Sequence, residues 1–354
     1  YHRRRTLNWS VRGIGIPRMR AYAISMIVVA ATFATAIISA TADGPANQPV
    51  TVPGNHNESI VLGAGAKKMT RTFIVHVPTG FDGKAKVAVV FMLHGAGGSG
   101  EGAIRQTGWD VKSDREGFIA VFPDGTSPRP MLPANFLTNP RLWNDGSGRG
   151  AIGVNNVDDL GFITAMIDFL EAHYAADPMR IYCAGFSNGA SMTFSIGLNL
   201  ANRIAAIAPV AGHLWENEKQ LTYPVPLLYI VGTDDPLNPL GGGKVNLPWE
   251  TIQNRPPVED SLKKWERMLG CGPEVRTARS KGVLEVAYDQ CVKGGEVEYY
   301  RVTGLGHVWP GGKSRLPEKW VGKPSDNLNA TDVIWDFFKA HPRMPATSPI
   351  AKNH

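Results

Sequence analysis

Residues 180–202 narrow the choice of fold more than any other part of the chain. An apolar, strand-like run at 180–186 leads into Gly185-Phe186-Ser187-Asn188-Gly189, and a helix-compatible stretch follows at 190–202. A serine on a sharp strand-to-helix turn needs glycine neighbours, because any side chain there would clash with the crowded backbone, and the turn lifts its hydroxyl clear of the sheet. The same five-residue pattern also arises by chance, as a glycine-rich turn holding an incidental serine. A strand before it and a helix after it argue against that reading.

The rest of the chain repeats this rhythm. Apolar runs rich in β-branched residues predict strands at 72–77, 87–93, 118–122, 180–186, 204–210, 227–231 and 296–302. Between them, Leu160, Ile163, Ile167 and Leu170 fall at helical spacing, as do Leu262, Trp265 and Leu269. A closing helix carries Val333, Ile334, Phe337 and Phe338 and stops before His341, which is expected as a solvated cap. Strands alternating with helices imply the α/β class, with a mostly parallel central sheet flanked by helices on both faces. Two stretches break the pattern, 126–156 and 235–257, both crowded with Gly, Pro and Asn. Loops that long inside a domain are usually functional lids or binding walls.

The first 42 residues read as an address rather than as part of the fold. Met19 and Arg20 open a segment with an apolar stretch at 21–38, which ends in Ala40-Thr41-Ala42, the small-x-small pattern of a signal-peptidase site. Residues 1–18 are therefore expected to lie upstream of the natural start, and 19–42 to be a signal peptide. After it come an N-terminal extension at 43–70, a catalytic domain at 71–342 and a tail at 343–354. An uncleaved anchor is the rival, since about 20 apolar residues can span a bilayer. The many Ala, Thr and Ser residues favour cleavage, hence a secreted protein, extracellular or periplasmic, with no membrane attachment afterwards.

The formal charge of +6 at first invites a polyanion partner. Six arginines and no acid lie within residues 1–42, and the remaining chain has equal numbers of basic and acidic residues, which removes the case for nucleic acid. Of three cysteines, Cys271 and Cys291 stand in loop-like contexts and are expected to form a disulfide, while Cys183 sits inside an apolar strand.

A serine hydroxyl becomes a nucleophile when a base takes its proton and an acid holds that base's tautomer. On strand–turn–helix scaffolds the partners follow in the order acid, then histidine. The histidines after Ser187 are His213, His307, His341 and His354. His307 is the candidate base, because it lies in a glycine-flanked loop, Gly304-Leu305-Gly306-His307, just after the last predicted strand. His213 follows too closely behind the nucleophile helix and reads as a loop histidine near the site. Gly232-Thr233-Asp234-Asp235-Pro236 follows the strand at 227–231, at the strand end where open α/β sheets place ligands. Asp235 is favoured as the acid over Asp234, being deeper in the turn and fixed by Pro236.

Acyl transfer also needs donors for the oxyanion. The N–H of Asn188 is one candidate, and the N–H of Ala96 in Leu93-His94-Gly95-Ala96-Gly97-Gly98 is the other. His94 beside that loop is expected to make a structural hydrogen bond. No H-E-x-x-H, paired C-x-x-C or P-loop ending is present, so neither a metal nor a cofactor is expected. Asn155, Asn156, Asp158 and Asp159 stand where the helix leading to Leu170 begins, and helix capping and compensation of the helix dipole account for them.

With those residues placed, the chain resembles the family of poly(3-hydroxybutyrate) depolymerases, feruloyl esterases and acetylxylan esterases, the first family of carbohydrate esterases, over roughly residues 71–342. The resemblance is carried by Leu93-His94-Gly95, Trp143-Asn144, Asn156-Val157-Asp158-Asp159, Gly185-Phe186-Ser187-Asn188-Gly189, Ala208-Pro209-Val210-Ala211-Gly212, Gly232-Thr233-Asp234-Asp235-Pro236 and Gly306-His307-Val308-Trp309-Pro310-Gly311. It implies the α/β-hydrolase fold and a serine esterase in which Ser187, His307 and Asp235 act in series and Trp309 stands beside the acyl or leaving group. It also implies a disulfide at Cys271 and Cys291. Relatives often have a cysteine where this chain has Ala96, a departure that leaves a backbone donor intact. Trp143 and Trp309 are candidate stacking surfaces for a sugar or an aromatic acid. The expected substrate is a feruloyl, acetyl or hydroxyalkanoate ester, on plant cell-wall polysaccharide or as a short oligomer. The tilt towards soluble esters comes from the chain ending soon after its last helix. Competing readings are a prolyl-oligopeptidase-like peptidase on the same fold and a non-catalytic secreted binding protein.

Overall fold

Strands whose side chains are apolar on both sides must be covered on both sides, and this sets the architecture. The computed structural model describes residues 49–63, 68–148, 152–153, 155–247, 252–273, 276–280, 282–288, 290–292, 294–314 and 316–344. The expected upstream segment and signal peptide lie outside the described residues, as do 43–48 and 345–354.

Within them the sheet runs from β1 (Gly54–Leu62) and β2 (Met69–Val77) through β3 (Val87–Leu93) and β4 (Ile119–Pro123) to β5 (Ala176–Phe186), β6 (Ala206–Val210) and β7 (Leu227–Gly232). A small hairpin, β8 (Gly243–Val245) and β9 (Gln253–Arg255), stands apart, and β10 (Arg276–Ser280), β11 (Val283–Tyr288) and β12 (Val297–Val302) complete the sheet. Spatial order is β1-β2-β4-β3-β5-β6-β7-β12-β11-β10. The centre, from β4 to β12, is parallel, and both margins are antiparallel.

Helices α1 (Gly100–Thr107), α2 (Trp109–Glu116) and α7 (Ala330–Ala340) contribute to the core on one face. Helices α3 (Asp159–His173), α4 (Asn188–Asn199) and α5 (Val258–Met268) contribute to the core on the other, and the short α6 (Glu318–Val321) lies near the rim. Alternation along β5 divides the two cores: Ile181 and Cys183 point to one, Tyr182, Ala184 and Phe186 to the other. Aromatic stacking fills the second core, with Phe118 on Trp335 at 4.1 Å and Tyr182 on Phe338 at 4.7 Å between centroids.

The predicted central strands and helices agree with these elements, and the sheet margins do not. β1 lies inside the segment expected to be an extension, yet it pairs along its full length with β2. Its residues alternate between half-buried and exposed, the signature of an edge strand with one wetted face, so no apolar run announces it. β10 and β11 were likewise absent from the sequence expectation and extend the opposite edge. Cys271 and Cys291 form a disulfide that ties the end of α5 to the loop after β11, and Cys183 is buried and free. His341 caps the closing helix as expected but is part-buried rather than solvated: Nε2 lies 2.9 Å from the Glu296 carboxylate, and Nδ1 lies 2.8 Å from the Phe337 carbonyl. Burial is the largest single influence and opposes its charge, but the hydrogen bonds to Glu296 and the Phe337 carbonyl together with the nearby Glu296 and Glu298 charges outweigh it and raise its pKa.

Candidate active site

The β5–α4 turn is closed by contacts that tolerate no side chain. A Cβ on Gly189 would stand 2.4 Å from the Leu93 carbonyl oxygen and 2.5 Å from that of His94. On Gly185 it would meet the Gly189 carbonyl at 2.3 Å. Between them Ser187 takes φ 57° and ψ −118°, a strained region for a residue with a side chain, and the strain aims its hydroxyl outward. The loop after β12 is equally tight, since a Cβ on Gly306 would lie 2.2 Å from the Val321 carbonyl oxygen.

These turns bring three distant segments together at the C-terminal ends of β5, β7 and β12. His307 Nε2 lies 2.8 Å from Ser187 Oγ, and Nδ1 lies 2.7 Å from Asp235 Oδ2. The other carboxylate oxygen of Asp235 accepts from the backbone N–H groups of Leu237 and Asn238, both at 2.8 Å. Those bonds fix the carboxylate plane and leave Oδ2 for the imidazole. Asp234 instead accepts from Thr233 Oγ1 at 2.8 Å and stays exposed in the turn. A hydroxyl, an imidazole and a buried carboxylate in series can pass a proton from oxygen to nitrogen while the carboxylate stabilises the imidazolium.

The loop carrying Ala96 lies against this array, because a Cβ on Gly95 would come within 3.2 Å of Ser187 Cβ. His94 braces that loop. Its Nε2 accepts from the Gly125 N–H at 2.9 Å, which leaves the proton on Nδ1 to be donated to the Gly95 carbonyl at 2.7 Å. Burial pushes its pKa down to about 4, so it stays neutral, as an acceptor nitrogen requires. Ala96 and Asn188, the first residue of α4, line the same cleft as Ser187 and His307. A first-turn N–H has no intrahelical partner, which leaves that of Asn188 open to an oxyanion.

A family model described as Phospholipase/Carboxylesterase matches residues 81–249. Feruloyl esterase B of Piromyces equi is 29% identical over 69% of this chain and 44% of its own length. Poly(3-hydroxyalkanoate) depolymerase C of Paucimonas lemoignei is 28% identical over 39% of this chain and 30% of its own. The solved acetyl xylan esterase from Aspergillus awamori superposes with a TM-score of 0.50 at 15% identity, covering 72% of this chain and 94% of that one, a likeness of fold. The chain has the α/β-hydrolase fold and is similar in sequence to these esterases. It spans less than half the length of the Piromyces and Paucimonas proteins.

At this site the two candidate tryptophans part company. Trp309 is 1% exposed, donates from Nε1 to Thr331 Oγ1 at 3.1 Å and packs edge-on to Phe186. It belongs to the core beneath the site and does not line the cleft, so the expected stacking on substrate is corrected. An indole that finds both apolar packing and an N–H partner inside the protein is held there. Trp143 does line the cleft but is also buried, its Nε1 donating to the His94 carbonyl at 2.9 Å.

Sequence reasoning passed over what holds Trp143. The Asn188 side chain accepts from the Trp143 N–H at 2.7 Å and donates to Asp145 Oδ2 at 2.9 Å, clamping segment 143–145 to the Ser187 turn. Next to it, Asp158 does cap α3 through the Gly161 N–H, whereas Asp159 is a buried partner of Arg71 at 2.7 Å and of the Asn144 N–H at 2.7 Å. Helix capping accounts for Asp158, while Asp159 lies in the first turn, where the dipole favours an acid, and in addition makes the buried pair with Arg71. The signal was the run Trp143-Asn144-Asp145 facing Asp158-Asp159, two polar blocks too short to read as partners without their separation in space. His213 lies near the site as expected, buried, with Nε2 3.0 Å from Asn238 Oδ1.

The cleft above these groups has a volume of about 720 Å³. Phe136, Leu142, Leu237, Leu316 and Trp320 give it apolar walls, with Ser187 and His307 at its floor. The loops at 126–156 and 235–257, flagged as walls by composition, supply much of it.

Proposed function

We propose that the protein is an exported carboxylic-ester hydrolase that works through an acyl-enzyme on Ser187. His307 takes the Ser187 proton as Oγ attacks the ester carbonyl, then gives it to the departing alcohol, and Asp235 orients the ring and stabilises its charge. Water repeats the sequence to release the acid. The N–H groups of Ala96 and Asn188 would receive the oxyanion. The observation that supports this reading is the unbroken run from Ser187 Oγ through His307 to Asp235, with spacings of 2.8 Å and 2.7 Å.

Feruloyl, acetyl and hydroxyalkanoate esters are the substrates to which the named relatives point, and an apolar cleft with polar spots suits acyl groups of that size. Among the described residues no helix is long and apolar enough to cross a membrane. Export is inferred from the segment at 19–42 and from the disulfide. Turnover of methyl ferulate, acetylated xylan and hydroxybutyrate oligomers, each with the Ser187→Ala variant as control, tests the proposal. Absence of ester turnover by the wild type, or its persistence in the variant, would overturn it.

A further inference from the structure

The cleft is apolar in its walls but not neutral at its mouth. Among the described residues its charged lining consists of Asp145, Lys244, Arg255 and Lys319. Asp145 is buried and engaged, accepting from Asn188 Nδ2 at 2.9 Å and from the Ser147 hydroxyl at 2.5 Å. Arg255 lies with its guanidinium 5.7 Å from the centre of the Trp215 ring. Lys244, on β8, and Lys319, on α6, are exposed, come from segments far apart in sequence and face the same cleft as Ser187.

Neither lysine has an ion-pair partner among the described residues. This sets them apart from several other cations of the molecule: Lys112 reaches Glu116 and Asp332, Arg203 reaches Asp168 and Glu171, and Lys339 reaches Asp336. An ammonium on a flexible stem acts as a point charge with reach, and low-dielectric walls concentrate its field in the cleft. The chain beyond residue 42 carries balanced formal charge, so this is a local feature and not a by-product of a basic protein.

We propose that Lys244 and Lys319 make this a cleft for esters bearing a carboxylate away from the scissile bond. The chemistry that fits is an apolar-bodied ester with an anionic end, such as a short hydroxyalkanoate oligomer with its terminal carboxyl free. The inference rests on the esterase reading, and its test separates the two.

The probes are the hydroxybutyrate dimer with a free carboxylate and the same dimer as its primary amide, which differ in charge and little in shape. The wild type is expected to favour the acid by about tenfold in kcat/KM at low salt, and the preference should shrink towards unity at 0.5 M salt as screening sets in. In Lys244→Met/Lys319→Met, with folding checked by thermal melting, the acid-to-amide ratio should fall to about one. A wild-type ratio near one, a ratio that survives the double substitution, or turnover of neither dimer by a preparation active on p-nitrophenyl acetate would overturn the proposal. Wild-type inactivity towards p-nitrophenyl acetate as well would instead remove the esterase reading on which it stands.

Discussion

At the floor of the cleft, Ser187 is held at φ 57° between glycines that sit against neighbouring carbonyls, and its partners are buried and doubly bonded. On the loop that supplies the outer wall, Met131 is 94% exposed, Leu137 57% and Leu132 51%. The floor is over-determined and the wall is not. Chemistry that depends on tenths of an ångström is built where many contacts agree, while the outer lining of the cleft is left on side chains with few constraints.

Substitutions at the floor should therefore be severe, and those at the wall mild. Ser187→Ala is expected to lower kcat on p-nitrophenyl acetate by about 10⁵-fold or more while leaving the thermal midpoint close to wild type, since one part-buried hydroxyl adds little packing. A variant that keeps a tenth of the activity would dissolve the distinction. Asp235→Asn removes the charge that steadies the imidazolium and offers a donor where an acceptor is needed. A drop of about 10⁴-fold is expected, and a loss below tenfold would move the acid role elsewhere.

Gly189→Ala acts on stability instead. Its methyl group would stand 2.4 Å from a backbone oxygen that has nowhere to move, so a loss of about 3 kcal/mol in urea unfolding, or failure to fold, is expected. An unshifted midpoint would show that the turn is looser than its contacts imply.

His94 extends the contrast to pH. Its folded-state pKa is lowered to about 4, below the ordinary 6.5, so the unfolded chain takes up the proton first. The stabilisation is fully present above 6.5 and drains away as pH falls towards 4, by about 2 kcal/mol between pH 7 and pH 5. His94→Gln should flatten that part of the stability profile, and a slope identical to wild type would relieve His94 of its bracing role. The smallest effect belongs to the wall: Leu137→Ser should change stability by less than about 0.5 kcal/mol and show itself in KM for long acyl chains alone. A stability loss comparable to that of Gly189→Ala would erase the difference between the two regions.

The floor was also the more legible region. Gly185 to Gly189, His307 in its glycine loop and Asp235 before Pro236 could each be picked out because tight turns demand particular residues at particular offsets. Trp309 misled for the same reason in reverse. It stands in a motif next to His307, and proximity in sequence said nothing about which side of the backbone it would face. Lys244 and Lys319 carried no signal at all, since a surface lysine reads like any other until the chain brings two of them over one cleft.

What the chain's own order of residues decided was the alternation of buried strands and helices and the few positions where only glycine, or a nucleophile between glycines, can sit. Those are local demands of backbone geometry and burial, and they are written locally. Which tryptophan is core, that Asn188 clamps Trp143 and Asp145, and that two lysines without ion-pair partners among the described residues line the cleft of the serine were settled only by folding. Each depends on the distance between segments that the sequence keeps tens of residues apart, and such distances exist only once the sheet has closed.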